Sequence, residues 1–332
     1  MLNNSRILLT GGTGSFGSHF ISMTLDRYPS CEIVVISRDE MKQWEMKIKL
    51  DHNPRVRFII GDVRDEAKLR AVTRGIDFIV HAAATKIVPT AEENPSECIK
   101  TNILGAMNII DASLAASVKG VVALSTDKAC NPVNLYGATK LASDKLFISA
   151  NNQITSEAKT KFSVVRYGNV MGSRGSVIPF FLSLDRNEPI PITDHRMTRF
   201  MITLDEGVHL VWRAFSEMVG GEIFVKKIPS MKIDDIARAV VPNRELKLVG
   251  IRPGEKLHEQ MISVEDALNT LEFDSYYKIM PSVASFEAGL SQKGARRVEV
   301  GFAYSSDTNK DWMTVEDLRR WASNRYGIAI NE

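Results

Sequence analysis

Cysteine is scarce in this chain: 332 residues include three, Cys31, Cys98 and Cys130. They lie far apart, with no CxxC pair and no neighbouring histidine, which excludes a disulfide framework and a zinc site; no metal ligand set is expected. Long apolar runs are missing too. None approaches the roughly 18 residues of a membrane helix, so no membrane span is expected. The opening stretch MLNNSRILLT has neither the basic start nor the apolar length of a secretion signal, which leads us to expect a cytoplasmic protein. Charge of one sign is also lacking. Forty-two Lys and Arg against forty Asp and Glu leave a net +2, too little for the broad basic field that non-specific nucleic-acid binding needs. Any anionic ligand must therefore be met locally. Twelve prolines and 21 glycines are too few for a fibrous or low-complexity chain. What remains, 44% hydrophobic and 25% charged, describes a globular protein of one large or two modest domains.

The first half alternates short aliphatic runs with longer helical stretches, the pattern of a parallel sheet with crossover helices. Six strands are predicted: Arg6 to Leu9, Ile33 to Ile36, Val56 to Ile60, Phe78 to His81, Val121 to Leu124 and Ser163 to Arg166. Phe16, Phe20, Met23 and Leu25 mark the first helix, which Tyr28 and Pro29 end. The fold class is α/β, a doubly wound parallel sheet of the Rossmann type with a second, smaller α/β substrate domain. We assign residues 1–172 to the dinucleotide-binding domain, with 200–226 returning to it, and 173–199 and 227–332 to the substrate domain, where prolines break the pattern. Helices are expected over Leu204 to Phe215 and Met231 to Val240, and a strand over Glu222 to Val225 that returns to the first sheet.

Directly after the first strand runs Thr10-Gly11-Gly12-Thr13-Gly14-Ser15-Phe16-Gly17, a G-x-x-G-x-x-G turn that opens a helix. Glycines let the backbone approach a pyrophosphate, whose charge then sits on the free amides and positive dipole end of the helix. Gly11, Thr13, Gly14, Ser15, Phe16 and Gly17 are thus candidate dinucleotide contacts. The second strand runs into Ser37 and Arg38 rather than an acidic residue. A guanidinium suits a 2′-phosphate and favours NADP, while Asp39, next in line, leaves NAD open. Asp62 and Val63 end the third strand where the adenine sits, and Ala82 and Ala83 end the fourth beside the pyrophosphate.

A second constellation is Ser125-Thr126-Asp127-Lys128 followed by Tyr136-Gly137-Ala138-Thr139-Lys140. Tyr-x-x-x-Lys on a helix puts phenol and ammonium on one face, one turn apart. The cation is expected to lower the Tyr136 pKa from about 10, so that the phenol can take a hydroxyl proton as hydride leaves.

Together with Arg38-Asp39-Glu40, Val165-Arg166-Tyr167-Gly168-Asn169-Val170, Met197-Thr198-Arg199-Phe200 and Gly250-Ile251-Arg252-Pro253-Gly254-Glu255-Lys256, these motifs make the chain resemble the extended short-chain dehydrogenases/reductases, and within them the inverting UDP-N-acetylglucosamine 4,6-dehydratases. The resemblance runs from about residue 5 to about 275. It departs at Ile87, where a histidine is expected after Lys86, and weakens after Tyr277. Loss of water from C5 and C6 of a sugar needs two proton-transfer groups beyond the tyrosine, and Asp127 and Lys128 supply them.

The resemblance implies bound, recycled NADP and a nucleotide-sugar substrate. Tyr136, Lys140 and Thr126 would oxidise C4; Lys128 would take the C5 proton and Asp127 protonate the leaving hydroxyl, or the reverse. As a base, Lys128 must be neutral, so its pKa is expected to be depressed by burial or by cations such as Lys140. Arg252 and Glu255, with Lys86, Arg199 and Asn169, are the implied substrate contacts. The product would be the 4-keto-6-deoxy sugar of L-arabino configuration, on a route to pseudaminic acid or related surface sugars. A homo-oligomer, dimer or hexamer, is implied, with helices Glu97 to Ala116 and Asn134 to Ala150 in a four-helix contact. The competing readings are a nucleotide-sugar 4-epimerase or reductase, which would not need Lys128, and a non-catalytic NADP-binding regulator, which would not need Tyr136 and Lys140.

Overall fold

The computed structural model describes residues 2–153, 160–185 and 187–327. Six strands form in the predicted places: β1 Arg6–Thr10, β2 Glu32–Ser37, β3 Val56–Ile60, β4 Phe78–His81, β5 Gly120–Thr126 and β6 Lys161–Tyr167. All pair in parallel in the order 3-2-1-4-5-6. β1, β4, β5 and β6 are aliphatic runs because helices cover both faces, leaving no side of the strand for polar residues. α1, Ser15–Arg27, buries Phe20, Ile21, Thr24 and Leu25 against the sheet and stops before Pro29, which cannot continue it. The helix Leu204–Glu217 packs beside α1.

The strand Ile223–Lys226 pairs in parallel with β6 and returns to the sheet. Beyond it the sheet grows by three strands taken from a region expected in the smaller domain: Tyr276–Ile279, Thr270–Glu272 and Arg296–Arg297, all antiparallel. The reason is apolar area. Leu271, Phe273, Tyr276, Tyr277 and Ile279 are buried in the same core as β1 and β4, a better outlet for their side chains than the small second core. That second core gathers Met171, Ile178, Phe181, Ile190, Ile192, Met197, Met231 and Ile236. Its helix begins at Ile233, not Met231, because Ser230–Lys232 is a strand paired with Thr198–Ile202. The end of the domain assignment, residues 328–332, lies outside the described residues.

The expected helix Glu97 to Ala116 is continuous but not uniform: Pro95–Ile99 and Gly105–Ala115 are α-helical and Lys100–Leu104 makes a π-turn. The wider turn faces Asn102 inward. Its amide bonds Thr85 on both sides, at 2.8 and 3.0 Å, and Thr139 Oγ1 at 3.0 Å, tying the loop after β4 to the helix that carries Tyr136. Such insertions are often found at functional sites. Among the described residues no helix is long and apolar enough to cross a membrane.

Candidate active site

The loops after β1, β2, β3, β4, β5 and β6 carry nearly every candidate residue, at the carboxyl ends of the strands where open α/β sheets bind ligands. At the end of β1, Gly11 has φ +65° and a side chain there would come within 2.8 Å of the Ala83 main chain. Only glycine lets the two loops meet. Thr10 Oγ1 locks them, accepting from the amides of Ala82 and Ala83 at 3.1 and 3.2 Å and pairing with His81 Nδ1 at 2.9 Å. α1 then starts at Ser15 with Gly14 as its cap, no side chain closing its free amides and no acidic residue in its first turn. An uncapped positive helix end behind a glycine turn is the surface a pyrophosphate fits. Thr13 is buried in that turn and Phe16 stacks between Phe20 and Tyr167.

At the end of β2, Asp39 is used up locally: it caps the helix Glu40–Lys49 by accepting from the Lys42 amide at 3.0 Å and pairs with Lys42 Nζ at 2.6 Å. Ser37 Oγ accepts from Gln43 at 2.9 Å. Arg38 is left with its guanidinium 63% exposed and one distant partner, Asp62 at 3.9 Å. Asp62 is itself held by Arg64, through the amide at 3.0 Å and Nε at 2.8 Å. Val63 is buried against Gly105 and its carbonyl accepts from Asn108 at 3.0 Å.

Thr126, Asp127 and Lys128 form a short turn after β5, and the helix Leu135–Ala150 starts directly over it. Gly137 makes this possible, since a side chain there would strike the Lys128 carbonyl at 2.2 Å. Asn134 caps the helix and donates to the Gly254 carbonyl at 2.8 Å. Within the turn, Thr126 Oγ1 donates to Asp127 Oδ1 at 2.9 Å and Lys128 Nζ donates to the same oxygen at 3.1 Å. The Tyr136 phenol lies near Thr126 and Lys128. Four of the five catalytic candidates, Thr126, Asp127, Lys128 and Tyr136, therefore come together, whereas Lys140 faces Asp144.

Two electrostatic expectations are corrected. Burial pushes the Tyr136 phenol up to about 12, and the cation that works against this is Lys128, with Lys140 facing Asp144 instead. Lys128 is not depressed either. Burial opposes its charge, but Asp127 and then Glu259 outweigh it and raise its pKa. The same burial raises Asp127. Lys140 is fully enclosed and its pKa lowered by desolvation; Asp144, one turn further along its helix, is also bound by Ser125 Oγ at 2.7 Å and by Arg166 at 3.4 Å.

Of the substrate candidates, Lys86 donates to the Arg174 carbonyl at 3.1 Å, and Arg174 N to Ser15 Oγ at 3.1 Å, which brings that loop to the mouth of α1. Asn169 follows β6 with its Oδ1 buried and unpartnered. Arg252 is exposed on its turn and paired with Glu255, Nε to Oε1 3.0 Å. Arg199, expected among these contacts, turns inward: its guanidinium donates to the carbonyls of Thr198, Leu257 and Lys256 at 2.7, 3.2 and 3.1 Å. It braces the segment carrying Glu259, a residue the sequence reading missed, whose Oε1 lies 2.9 Å from Lys128 Nζ. The signal available was only a second acidic residue three places after Lys256.

Comparison with known proteins places the chain in a family. Residues 7–281 match the family of polysaccharide biosynthesis proteins. The UDP-N-acetylglucosamine 4,6-dehydratase (inverting) of Campylobacter jejuni is 54% identical over 327 residues, 96% of this chain and 97% of the relative. A UDP-glucose 4-epimerase of Rickettsia bellii is 42% identical over 287 residues, 84% of each. The X-ray structure of Pen from Bacillus thuringiensis superposes with a TM-score of 0.89 at 34% identity, covering 99% of this chain and all of that one. The chain belongs to the polysaccharide biosynthesis protein family, in the company of the inverting UDP-N-acetylglucosamine 4,6-dehydratases of the extended short-chain dehydrogenase/reductase superfamily.

Proposed function

We propose that this protein is a configuration-inverting 4,6-dehydratase that removes water from UDP-N-acetylglucosamine and leaves a UDP-linked 2-acetamido-2,6-dideoxy-4-keto-hexose of L-arabino configuration. The observation that carries this reading is the pair of buried Asp127 and partly buried Lys128 beside Tyr136, two proton-transfer groups more than an epimerase needs. NADP is the dinucleotide, supported by the exposed Arg38 side chain, whose contact with Asp62 is long, and by the diversion of Asp39 to a helix cap. When bound, it supplies the hydride acceptor for C4 and returns that hydride to C6.

The chain's own groups move the protons. Tyr136, beside Thr126, rests as a neutral phenol and gives its proton up to solvent before it takes that of the C4 hydroxyl; the resulting ketone acidifies the hydrogen at C5. At rest Lys128 is an ammonium and no base. Passing its proton to Asp127 Oδ1 along their 3.1 Å hydrogen bond leaves a neutral amine beside a carboxylic acid, one to take the C5 proton and one to protonate the departing C6 hydroxyl. The pair then titrates as a unit. A proton drawn from solvent and delivered to the opposite face of C5 completes the inversion.

The turn carrying Arg252 and Glu255, with Lys86 and Asn169, is proposed to hold the nucleotide part of the substrate in the smaller domain, and residues 1–172 to hold the dinucleotide. We also propose a cytoplasmic homo-oligomer on a route to pseudaminic acid or related sugars. Its contact through the helices 95–115 and 135–150 is supported by Ile99, Leu104 and Met107, each more than 40% exposed.

The test is to incubate the purified protein with UDP-N-acetylglucosamine in heavy water and read the product by proton NMR. A 4-keto-6-deoxy sugar with deuterium at C5 is expected; a C4 epimer with no loss of water, the activity named for the Rickettsia relative, would replace this reading. Arg38→Asp should weaken NADP at least tenfold while sparing NAD, because the carboxylate repels a 2′-phosphate and accepts from a ribose hydroxyl; titration of both dinucleotides checks this. Arg252→Ala should raise KM for the nucleotide sugar about tenfold or more with kcat and dinucleotide affinity kept, since a diphosphate grip acts equally in ground and transition states. Steady-state kinetics would show an unchanged KM if this turn lies outside the site.

A further inference from the structure

Glu259 is 2% exposed, and its Oε1 sits 2.9 Å from Lys128 Nζ while Oε2 is buried without a partner. A carboxylate enclosed in this way is tolerated only beside a cation; Lys128 provides it, with Arg199 Nε at 3.9 Å. The side chain has little freedom to choose another partner, because its main chain is clamped from both sides by Ser306. The Glu259 amide donates to Ser306 Oγ at 2.9 Å, and the Ser306 amide donates to the Glu259 carbonyl at 2.8 Å. Ser306 is fully buried and its hydroxyl meets Thr198 Oγ1 at 2.7 Å, which meets His258 Nδ1 at 2.8 Å. The next strand, Gln260–Ile262, pairs with Tyr304–Ser305. A segment of the chain's last thirty residues thus fixes a carboxylate against a residue of the turn after β5.

We infer that Glu259 is a positioning residue for the dehydration step: its carboxylate, set in place by Ser306, is a second anchor for the Lys128 ammonium beside Asp127 and holds it there until substrate is bound. The inference rests on the dehydratase reading above. The charged and titratable groups facing Lys128 are Asp127 on its own turn, Tyr136 from the helix above, Glu259 from the segment before Gln260, and Arg199 from the strand Thr198–Ile202. Asp127 and Glu259 favour the ammonium and Arg199 opposes it, so removing Glu259 changes the balance rather than abolishing it.

Trace acetylation of the full-length protein by acetic anhydride across a pH series, read at Lys128 by peptide mass spectrometry, tests this without substrate. An adjacent carboxylate raises an amine's pKa by about one to three units. At about pH 8, well below the midpoint, Lys128 of Glu259→Gln should therefore react roughly 10- to 1000-fold faster than in the wild type, with its midpoint moved down, and Glu259→Asp should fall between the two. Equal midpoints in wild type and Glu259→Gln overturn the inference. If circular dichroism shows that Glu259→Gln does not fold, Glu259→Asp decides, since its shorter arm lengthens the contact: an unmoved midpoint there overturns it equally. In turnover, Glu259→Gln should keep KM while the pH profile of product formation shifts to lower pH, which loss of packing alone would not do. Should the wild type form no dehydration product, the function falls while the labelling result still stands or falls by itself.

Discussion

Lys128→Met is expected to reduce the dinucleotide on mixing with UDP-N-acetylglucosamine yet to release 4-keto-6-deoxy product about 10²- to 10⁴-fold more slowly than the wild type, the range attributed to a positioned acid or base. Tyr136→Phe should do neither. The two residues serve different halves of the reaction. Tyr136 and Thr126 act at the C4 hydroxyl, whereas Lys128 and Asp127 act at C5 and C6. Methionine keeps the length of the lysine stem and supplies no base. The structure adds a requirement: without the ammonium, Asp127 and Glu259 face each other across a buried gap and must share a proton. Lys128→Met should therefore lose stability as pH rises, and the single-turnover absorbance measurement belongs at the acid end of the enzyme's working range. Product formed at the wild-type rate would remove Lys128 from the mechanism.

The second large effect is on stability. Arg166→Met should destabilise the protein by roughly 3–5 kcal/mol, the cost of breaking a buried ion pair from one side. Arg166 is 1% exposed and donates to Asp144 at 3.4 Å, Asp266 at 3.2 Å and the Met261 carbonyl at 2.9 Å. Removing it leaves Asp144 wholly enclosed with only Lys140 to answer its charge. Adding Asp144→Asn to Arg166→Met should recover part of the loss, because the uncompensated charge goes with it. Urea unfolding of the wild type, both single variants and the double variant measures the coupling; a loss below about 1 kcal/mol for Arg166→Met would mean that water reaches Asp144.

The local parts of this molecule were legible because local physics decides them. β1 and β4 are aliphatic runs of strand length, the glycines after β1 stand where only a bare backbone fits, and Tyr136 and Lys140 share a face by helical period alone. What escaped depends on which parts meet. Glu259 lies 131 positions from Lys128, counting along the chain, and nothing in either neighbourhood announces the other. The raised pKa of Tyr136 comes from burial, and the cation that opposes it is Lys128, so a rule based on the lysine one turn along the helix pointed the wrong way. Arg166 looks like an ordinary strand residue until three partners from two regions close on it. The strands at 270–279 carry no pattern that distinguishes the large core from the small one; the available apolar area made that choice.

The last strand of the sheet, Arg296–Arg297, bears on how this protein behaves when concentrated. A parallel sheet ending at Ile223–Lys226 would present a row of free amides and carbonyls, a template on which another copy could add a strand. Here the row is passed outward through two antiparallel strands and ends on two residues. Both are exposed arginines, held by Glu272, Asp274 and Glu287. Two like-charged side chains on so short an edge repel the same edge of a second molecule before its backbone can register, so any filament built through this side of the sheet would have to begin by burying four guanidinium groups.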